Sequence, residues 1–335
     1  MERNGKGRGR VTRDEVARLA GVSTAVVSYV VNNGPRPVSE AARRRVENAI
    51  EILGYRPSAS ARALALGTAD TFGLIVPEIT NTFHAQVVEA VEGEALGKGK
   101  SVILANSHTD PALERRLLEE MADRGVGGVM LITTSTSDDE LVVQNLGVPL
   151  VLIDRQRPLP GFATIGPDYR AGGRLATQHL LDHGYTDILP IHGVAAESHP
   201  NDRLSGYNDA MLAAGLVPRA PLVVSWTREG GYEAGRRIVR EGTMPRAVFS
   251  LGDMISIGLL AAFYEARIRV PEDVAVVSFD STMDATYSCP PLTAVRQPVE
   301  QTASRAIARL TASGPVEPGH ELLPVSLDVR SSCGC

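Results

Sequence analysis

The sequence predicts an N-terminal all-α module of helix-turn-helix form followed by an α/β body with parallel sheets. Three observations lead there. Residues 12–64 carry helix start and stop signals in close succession, and residues 71–280 alternate short Val/Ile/Leu-rich runs with helical stretches. Charge divides along the same line. Residues 1–66 hold 12 Lys and Arg against 6 Asp and Glu, a net of +6, while the 335-residue chain stands at −5, leaving −11 on the remainder. A basic head on an acidic body draws polyanions to one end and discourages them elsewhere.

Residues 1–10 are Gly/Arg-rich with no apolar run, the composition of a disordered basic arm. Thr12 stands three residues before Glu15, the spacing at which each side chain satisfies a free backbone N–H. Val16, Ala17 and Ala20 then line one face of a first helix. Gly21 suits the left-handed turn that ends it. Ser23 caps a second helix over 24–31. Ser39 opens a third, which carries Arg43, Arg44 and Arg45 and ends near Gly54. Each signal alone is weak. Three-helix packing also occurs in protein-binding domains, and an Arg run is more often a solvated helix face.

The joint pattern is more specific. Val16-Ala17-(x)2-Ala20-Gly21-Val22-Ser23, Val27-Ser28, Val31-Asn32 and Gly54-Tyr55-(x)-Pro57-(x)4-Arg62-(x)-Leu64 resemble the headpiece of the LacI family of bacterial repressors. The resemblance implies a helix-turn-helix domain over 11–56 whose second helix enters the major groove. It implies a hinge helix over 57–68 in the minor groove, where Leu64 wedges between base steps at a cost of roughly a few kcal/mol. Carried over residue by residue, Thr24, Ala25 and Tyr29 face bases and Asn32 contacts the backbone. Arg13, Ser23, Ser28 and Arg62 complete the DNA-binding candidates. The chain departs from the family at Val26, where Thr is usual, and at Tyr29, where Arg is frequent.

From Thr71 onward the pattern is that of strands over 72–76, 101–105, 126–132, 149–153, 188–191, 222–225, 247–250 and 274–278. Helical stretches intervene near 85–98, 111–124, 170–183, 201–214, 230–240 and 254–267. Continuous apolar strands separated by helices predict parallel sheets covered on both faces. The family resemblance implies a periplasmic-binding-protein-like effector-binding and dimerisation domain over 69–335, with two lobes joined by three crossings near 165, 292 and 324. The first lobe is then about 70–164 and 293–323, the second about 166–291 and 324–330.

Open parallel sheets bind ligands beyond the carboxyl ends of their strands, so candidates were sought there. Asn81, Phe83 and His84 resemble a sugar-contacting segment of relatives. Asp154 and Arg155 offer an acceptor beside a fork of donors. Arg203 matches the family's effector-clamping Arg, and Trp226, Asp280 and Gln297 match ligand-contacting positions. Each has a duller reading: a surface ion pair, a core Trp, a helix cap. Gly252 stands where sugar-binding relatives commonly have Asn, and Asp253 reads as the cap of the following helix. A sugar or sugar derivative is the favoured ligand, ahead of a nucleobase or nucleoside.

Catalytic signatures are few. The seven His residues read as scattered, with no His-(x)3-His or Glu-(x)2-His metal pattern recognised, and neither a Gly-x-Ser-x-Gly elbow nor a complete phosphate-cradling loop is recognised. The closing Cys333-Gly334-Cys335, taken to lack a nearby His, reads as a frayed, reduced tail rather than a zinc site. No cofactor, metal or enzyme activity is expected. No run approaches the roughly 20 apolar residues of a membrane span, and no secretion signal is recognised. A cytoplasmic location without membrane partners is expected. The predicted function is a ligand-responsive, sequence-specific transcriptional regulator, a repressor. It acts as a homodimer on a near-palindromic double-stranded DNA operator, with a small metabolite in the inter-lobe cleft. The alternatives are a nucleobase or nucleoside sensor, and a solute-binding or sugar-processing protein with an appended DNA-binding head.

Overall fold

The computed structural model describes residues 11–32, 36–55, 70–133, 146–194 and 201–335. The chain divides into a unit over Met1–Asp70 and a unit over Thr71–Cys335. In the first, α1 (Arg13–Ala20), α2 (Thr24–Asn32) and α3 (Glu40–Leu53) form a three-helix head. The reciprocal cap at its start is present. Thr12 N–H donates to Glu15 Oε2 at 2.7 Å, and Glu15 N–H donates to Thr12 Oγ1 at 3.3 Å. Gly21 and Gly54 close α1 and α3 at φ 62° and 64°, where a side chain would be strained. Val16, Val27 and Val46 are fully buried, with Ala17, Ala20, Val30, Ala49 and Tyr55 around them.

The second unit contains two six-stranded sheets. The first lobe holds β1 (Thr71–Val76), α4 (Thr82–Gly97), β2 (Ser101–Asn106), α5 (Pro111–Asp123), β3 (Val129–Ile132), β4 (Leu150–Ile153) and β5 (Ala163–Pro167). The chain then builds the second lobe with α6 (Tyr169–Asp182), β6 (Ile188–Val194), α7 (Asp202–Ala213), β7 (Leu222–Ser225) and α8 (Arg228–Glu241). That lobe continues with β8 (Ala247–Ser250), α9 (Asp253–Glu265), β9 (Ala275–Asp280), α10 (Met283–Thr286) and β10 (Thr293–Arg296). It returns to the first lobe for α11 (Val299–Thr311) and β11 (Gly319–Leu323), and closes in the second with β12 (Ser326–Asp328). The strand orders are β11-β5-β4-β3-β1-β2 and β12-β10-β9-β8-β6-β7. Every pairing is parallel except β10 with β12. Near-continuous apolar strands such as Leu74-Ile75-Val76 and Ala275-Val276-Val277 are buried on both faces, as parallel sheets require.

One lobe boundary and the packing of the C-terminal segment differ from the sequence expectation. The first crossing follows Pro167, near the expected 165, with Ile165 paired to Ile153 and Pro167 to Leu323. The second follows Arg296 rather than 292. Thr293–Arg296, expected in the first lobe, pairs with Val277–Asp280 and belongs to the second. The C-terminal segment is not frayed: Ser332 and Cys333 are fully buried. Ser332 Oγ donates to Val276 O at 2.6 Å and accepts from Thr293 N–H at 2.9 Å, stitching the tail to the second lobe.

Candidate functional sites

In the head, α2 turns Val27 and Val30 inward and leaves Thr24 and Ala25 exposed, with Ser28 and Tyr29 half-buried beside them. Positions 24, 25, 28 and 29 recur at helical spacing on one face, so a single α2 surface presents them. Ser23 caps this helix, its Oγ accepting from Val26 N–H at 3.4 Å. Arg13 lies half-buried on α1. Arg43 and Arg44 form exposed i,i+4 pairs with Glu47 and Glu40 at 4.0 and 3.5 Å, contacts of small energetic value. Asn32 ends α2. Its side chain, together with Arg62 and Leu64, lies outside the described residues.

In the body, the strand ends of the two lobes face each other across a cleft. Arg203, second residue of α7, is buried beneath it. Its guanidinium donates to Leu251 O and pairs with Asp280 Oδ1 at 3.3 Å. Three aromatic rings enclose it: Phe279 at 4.1 Å, Tyr169 at 4.6 Å and Trp226 at 5.3 Å. The close approach of α6 to α7 sets this position. A Cβ on Gly173 would stand 2.0 Å from Arg203 O, and one on Gly206 would stand 2.1 Å from Arg170 O.

Asp280 ends β9 with φ 103°, and Gln297, buried at the second crossing, donates Nε2–H to its Oδ1 at 2.6 Å. From the other lobe, Asp154 follows β4 at φ 62° and accepts the phenolic proton of Tyr169. Burial pushes the Asp154 carboxyl up to about 6, and burial also raises Asp280. A small recess is lined by Phe83, Val87, Ile153, Asp154, Gln297 and Val299, among others. Phe83, Asp154 and Gln297 line this recess, and Gln297 links in turn to Asp280, Arg203 and Trp226.

Two expected residues, Asn81 and His84, are bonded to nearby backbone. Asn81 caps α4, its Oδ1 accepting from Phe83 N–H at 3.0 Å. His84 donates Nδ1–H to Glu78 O at 2.8 Å, and burial lowers its pKa. His320 on β11 is depressed by burial first and then by the charge of Arg155. Asp253, expected as a helix cap, is the first residue of α9 and makes no cap bond. Its carboxylate instead accepts from Ser278 Oγ at 2.5 Å, Thr282 N–H at 2.6 Å and Thr282 Oγ1 at 2.8 Å. Burial and the neighbouring Asp280 charge push it up to about 7.

Sequence reasoning missed Tyr169, because the strand preceding it was not recognised. It also missed the reason for glycine at 252. A Cβ there would approach Trp226 Cζ2 to 2.9 Å, and a Cβ at Gly193 would reach Trp226 Cε3 at 2.2 Å. The indole occupies the room that a side chain at 252 would need.

Two straps join the lobes. Thr82 Oγ1 donates to Asp284 Oδ2 at 2.8 Å, and Arg228 Nη2 donates to the same oxygen at 2.6 Å. Elsewhere Asp202 N–H donates to Gln156 Oε1 at 3.2 Å, and Arg157 pairs with Asp202 at 3.4 Å. Among the described residues no helix is long and apolar enough to cross a membrane.

A helix-turn-helix head joined to a two-lobed body with a polar cleft defines a DNA-binding regulator with a periplasmic-binding-protein-like domain. Residues 12–58 match the model of bacterial regulatory proteins of the lacI family, and 177–333 match that of the periplasmic binding protein-like domain. The ribose operon repressor of Escherichia coli (strain K12) is 38% identical over 301 residues, covering 88% of this chain and 91% of that protein. The HTH-type transcriptional repressor PurR of Erwinia tasmaniensis is 32% identical over 329 residues, 96% of each chain. The crystal structure of the Lac repressor dimer bound to operator and the anti-inducer ONPF superposes with a TM-score of 0.86 at 27% identity, covering 97% of this chain and 99% of that one. A complex of the transcriptional regulator CelR with cellobiose gives 0.69 at 33% identity, covering 96% and 100%. The chain belongs to the LacI family of bacterial regulatory proteins and is a ligand-responsive transcriptional regulator.

Proposed function

We propose that the protein is a cytoplasmic repressor that binds a near-palindromic operator as a homodimer, and that a sugar or sugar derivative in the cleft changes its affinity for DNA. The observation that carries the ligand reading is the constellation of Arg203, Asp280 and Gln297 in one lobe with Asp154 from the other. Carboxylates accept from hydroxyls while a guanidinium and an amide donate to them. Phe83 and Trp226 add apolar faces on which a ring can rest. A ligand touching both lobes favours the arrangement in which they approach, and so acquires the differential affinity that coupling to DNA requires. The names of the ribose operon repressor and the CelR–cellobiose complex agree with a sugar ligand.

In the head, Thr24, Ala25 and Tyr29 are assigned to base edges, and Arg13, Ser23, Ser28, Asn32 and Arg62 to the backbone and its immediate surroundings. Leu64 is the minor-groove wedge. Replacing it by Ala weakens operator binding while sparing nonspecific binding, and equal loss of both would remove the wedge role. The cleft groups bind and orient a ligand without a nucleophile or proton relay, so no enzymatic turnover is assigned.

A thermal-shift screen of the full chain against sugars, sugar phosphates, nucleosides and purines tests the ligand class. A ligand at a hundred times its Kd stabilises the protein by about 2.7 kcal/mol. Response to purines alone transfers the site to nucleobases, a reading that the flat Trp226 ring over Gly193 also suits.

A further inference from the structure

His179 and His183 stand one turn apart at the end of α6, a His-(x)3-His pair that the sequence reading passed over. The C-terminal segment returns beside them. Gly334, at φ 92°, turns the chain between Cys333, which is buried against Thr293, and Cys335, which faces the two imidazoles. Cys335 Sγ lies 3.1 Å from His183 Nε2 and 3.5 Å from His179 Nε2, and one donor atom from each of the three residues falls within 4.8 Å of the others. A second sulfur, Cys333 Sγ, is 3.0 Å from that of Cys335.

We propose that His179, His183 and Cys335 bind a zinc-class cation, with Cys333 Sγ or water as the fourth ligand. Two imidazole nitrogens and a thiol sulfur converge at one point, and these are donor types that zinc takes. A tetrahedral ion with bonds of about 2.0–2.1 Å to nitrogen and 2.3 Å to sulfur sets nitrogen–sulfur edges at about 3.5 Å. The two Cys335–His separations, 3.1 and 3.5 Å, lie close to these edges, and the imidazole nitrogens, with all three donors within 4.8 Å, settle at about 3.4 Å from each other around the ion. Mixed sulfur and imidazole donors select zinc and its borderline neighbours over magnesium or calcium. The bound ion pins the C-terminal segment to α6, closing a loop between residues that the chain separates by 152 and 156 positions. The site lies on the second lobe, away from the ligand cleft, and the family assignment does not call for it.

The full-length protein is stripped with a chelator, reduced, and titrated with Zn2+ against a chromophoric competitor; Co2+ then serves as an optical probe. One equivalent is expected, with a thiolate-to-cobalt charge-transfer band and the strong ligand-field absorption of a tetrahedral ion. Cys335→Ser and His183→Ala, both at exposed positions, abolish that band. They weaken binding beyond the roughly 10–100-fold cost of losing an outer-shell partner. Cys289→Ser, at an exposed cysteine outside the cluster, leaves it intact. Circular dichroism of each metal-free variant checks that it folds. No uptake by the reduced protein, an octahedral cobalt spectrum, or unchanged binding in Cys335→Ser overturns the site.

Discussion

Tyr169, first residue of α6 in the second lobe, donates its phenolic proton to Asp154 at the end of β4 in the first. The bond crosses the cleft and seats a carboxyl in surroundings that raise its pKa from 3.8 to about 6. Such a group holds its proton more tightly folded than unfolded. Its contribution to stability is complete below the unfolded value and is lost as pH rises through the folded one. Asp154→Asn removes this titration. The Tm of the parent minus that of the variant is therefore larger near pH 5 than near pH 7.5, and a difference that ignores pH would contradict the shift.

Arg203 and Asp280 form a buried pair, so removing one partner strands the other. Arg203→Ala is expected to destabilise the body by about 3–5 kcal/mol and to abolish the ligand response. Asp280→Asn, which keeps a hydrogen-bonding group beside Gln297, costs less. Chemical denaturation of both variants gives the order, and equal losses would deny the pair its electrostatic role. Substitution by Lys does not rescue Arg203, since the planar guanidinium stacks between rings where an ammonium cannot.

Trp226 and Gly252 compete for one space. Gly252→Asn places a side chain against the indole and destabilises by about 1–3 kcal/mol, the usual range for overpacking. Combining it with Trp226→Ala recovers part of that loss. Additive losses in the double-mutant cycle would show that the two positions do not meet.

The strap from Thr82 to Asp284 and Arg228 is partly exposed, and such pairs contribute about 0–1 kcal/mol. Asp284→Ala is expected to lower Tm little while weakening ligand binding by up to about fivefold, because open forms of the body become more populated. Small-angle scattering without ligand reads the opening as a larger radius of gyration. An unchanged radius and affinity would leave the strap without a role in closure.

Tyr29 shares the outward face of α2 with Thr24 and Ala25. Tyr29→Ala is expected to cost about 1–3 kcal/mol in operator binding and to leave binding to random duplex nearly unchanged. Titrations against both DNAs at one salt concentration decide it. Parallel losses would make Tyr29 a backbone contact.

Much of the architecture could be read locally. Capping residues, helix-ending glycines and unbroken Val/Ile runs mark their own elements, and β1, β4, β8 and the three head helices fall close to expectation. β5, β10, β11 and β12 are short, with few apolar residues or with Gly, Thr and Pro among them. Pairing partners supplied by distant segments make them strands. The same limit applies in the cleft. Asp154, Phe83 and Trp226 could be nominated because each follows a strand, and Arg203, Asp280 and Gln297 because they match ligand-contacting positions of the family. Asn81 and His84 follow a strand equally well, yet their polar atoms are committed to neighbouring backbone.

By itself the sequence determined the family, the split between basic head and acidic body, and the parallel-sheet class. These depend on residue type, spacing and period, which are properties of adjacent positions. Only the tertiary structure decided which lobe owns β10, why position 252 is glycine, that Tyr169 reaches Asp154 in the other lobe, and that Cys335 meets His179 and His183. Each of these depends on which surfaces remain for burial once the sheets have formed. That is a competition among residues far apart in the chain, and no local pattern records its outcome.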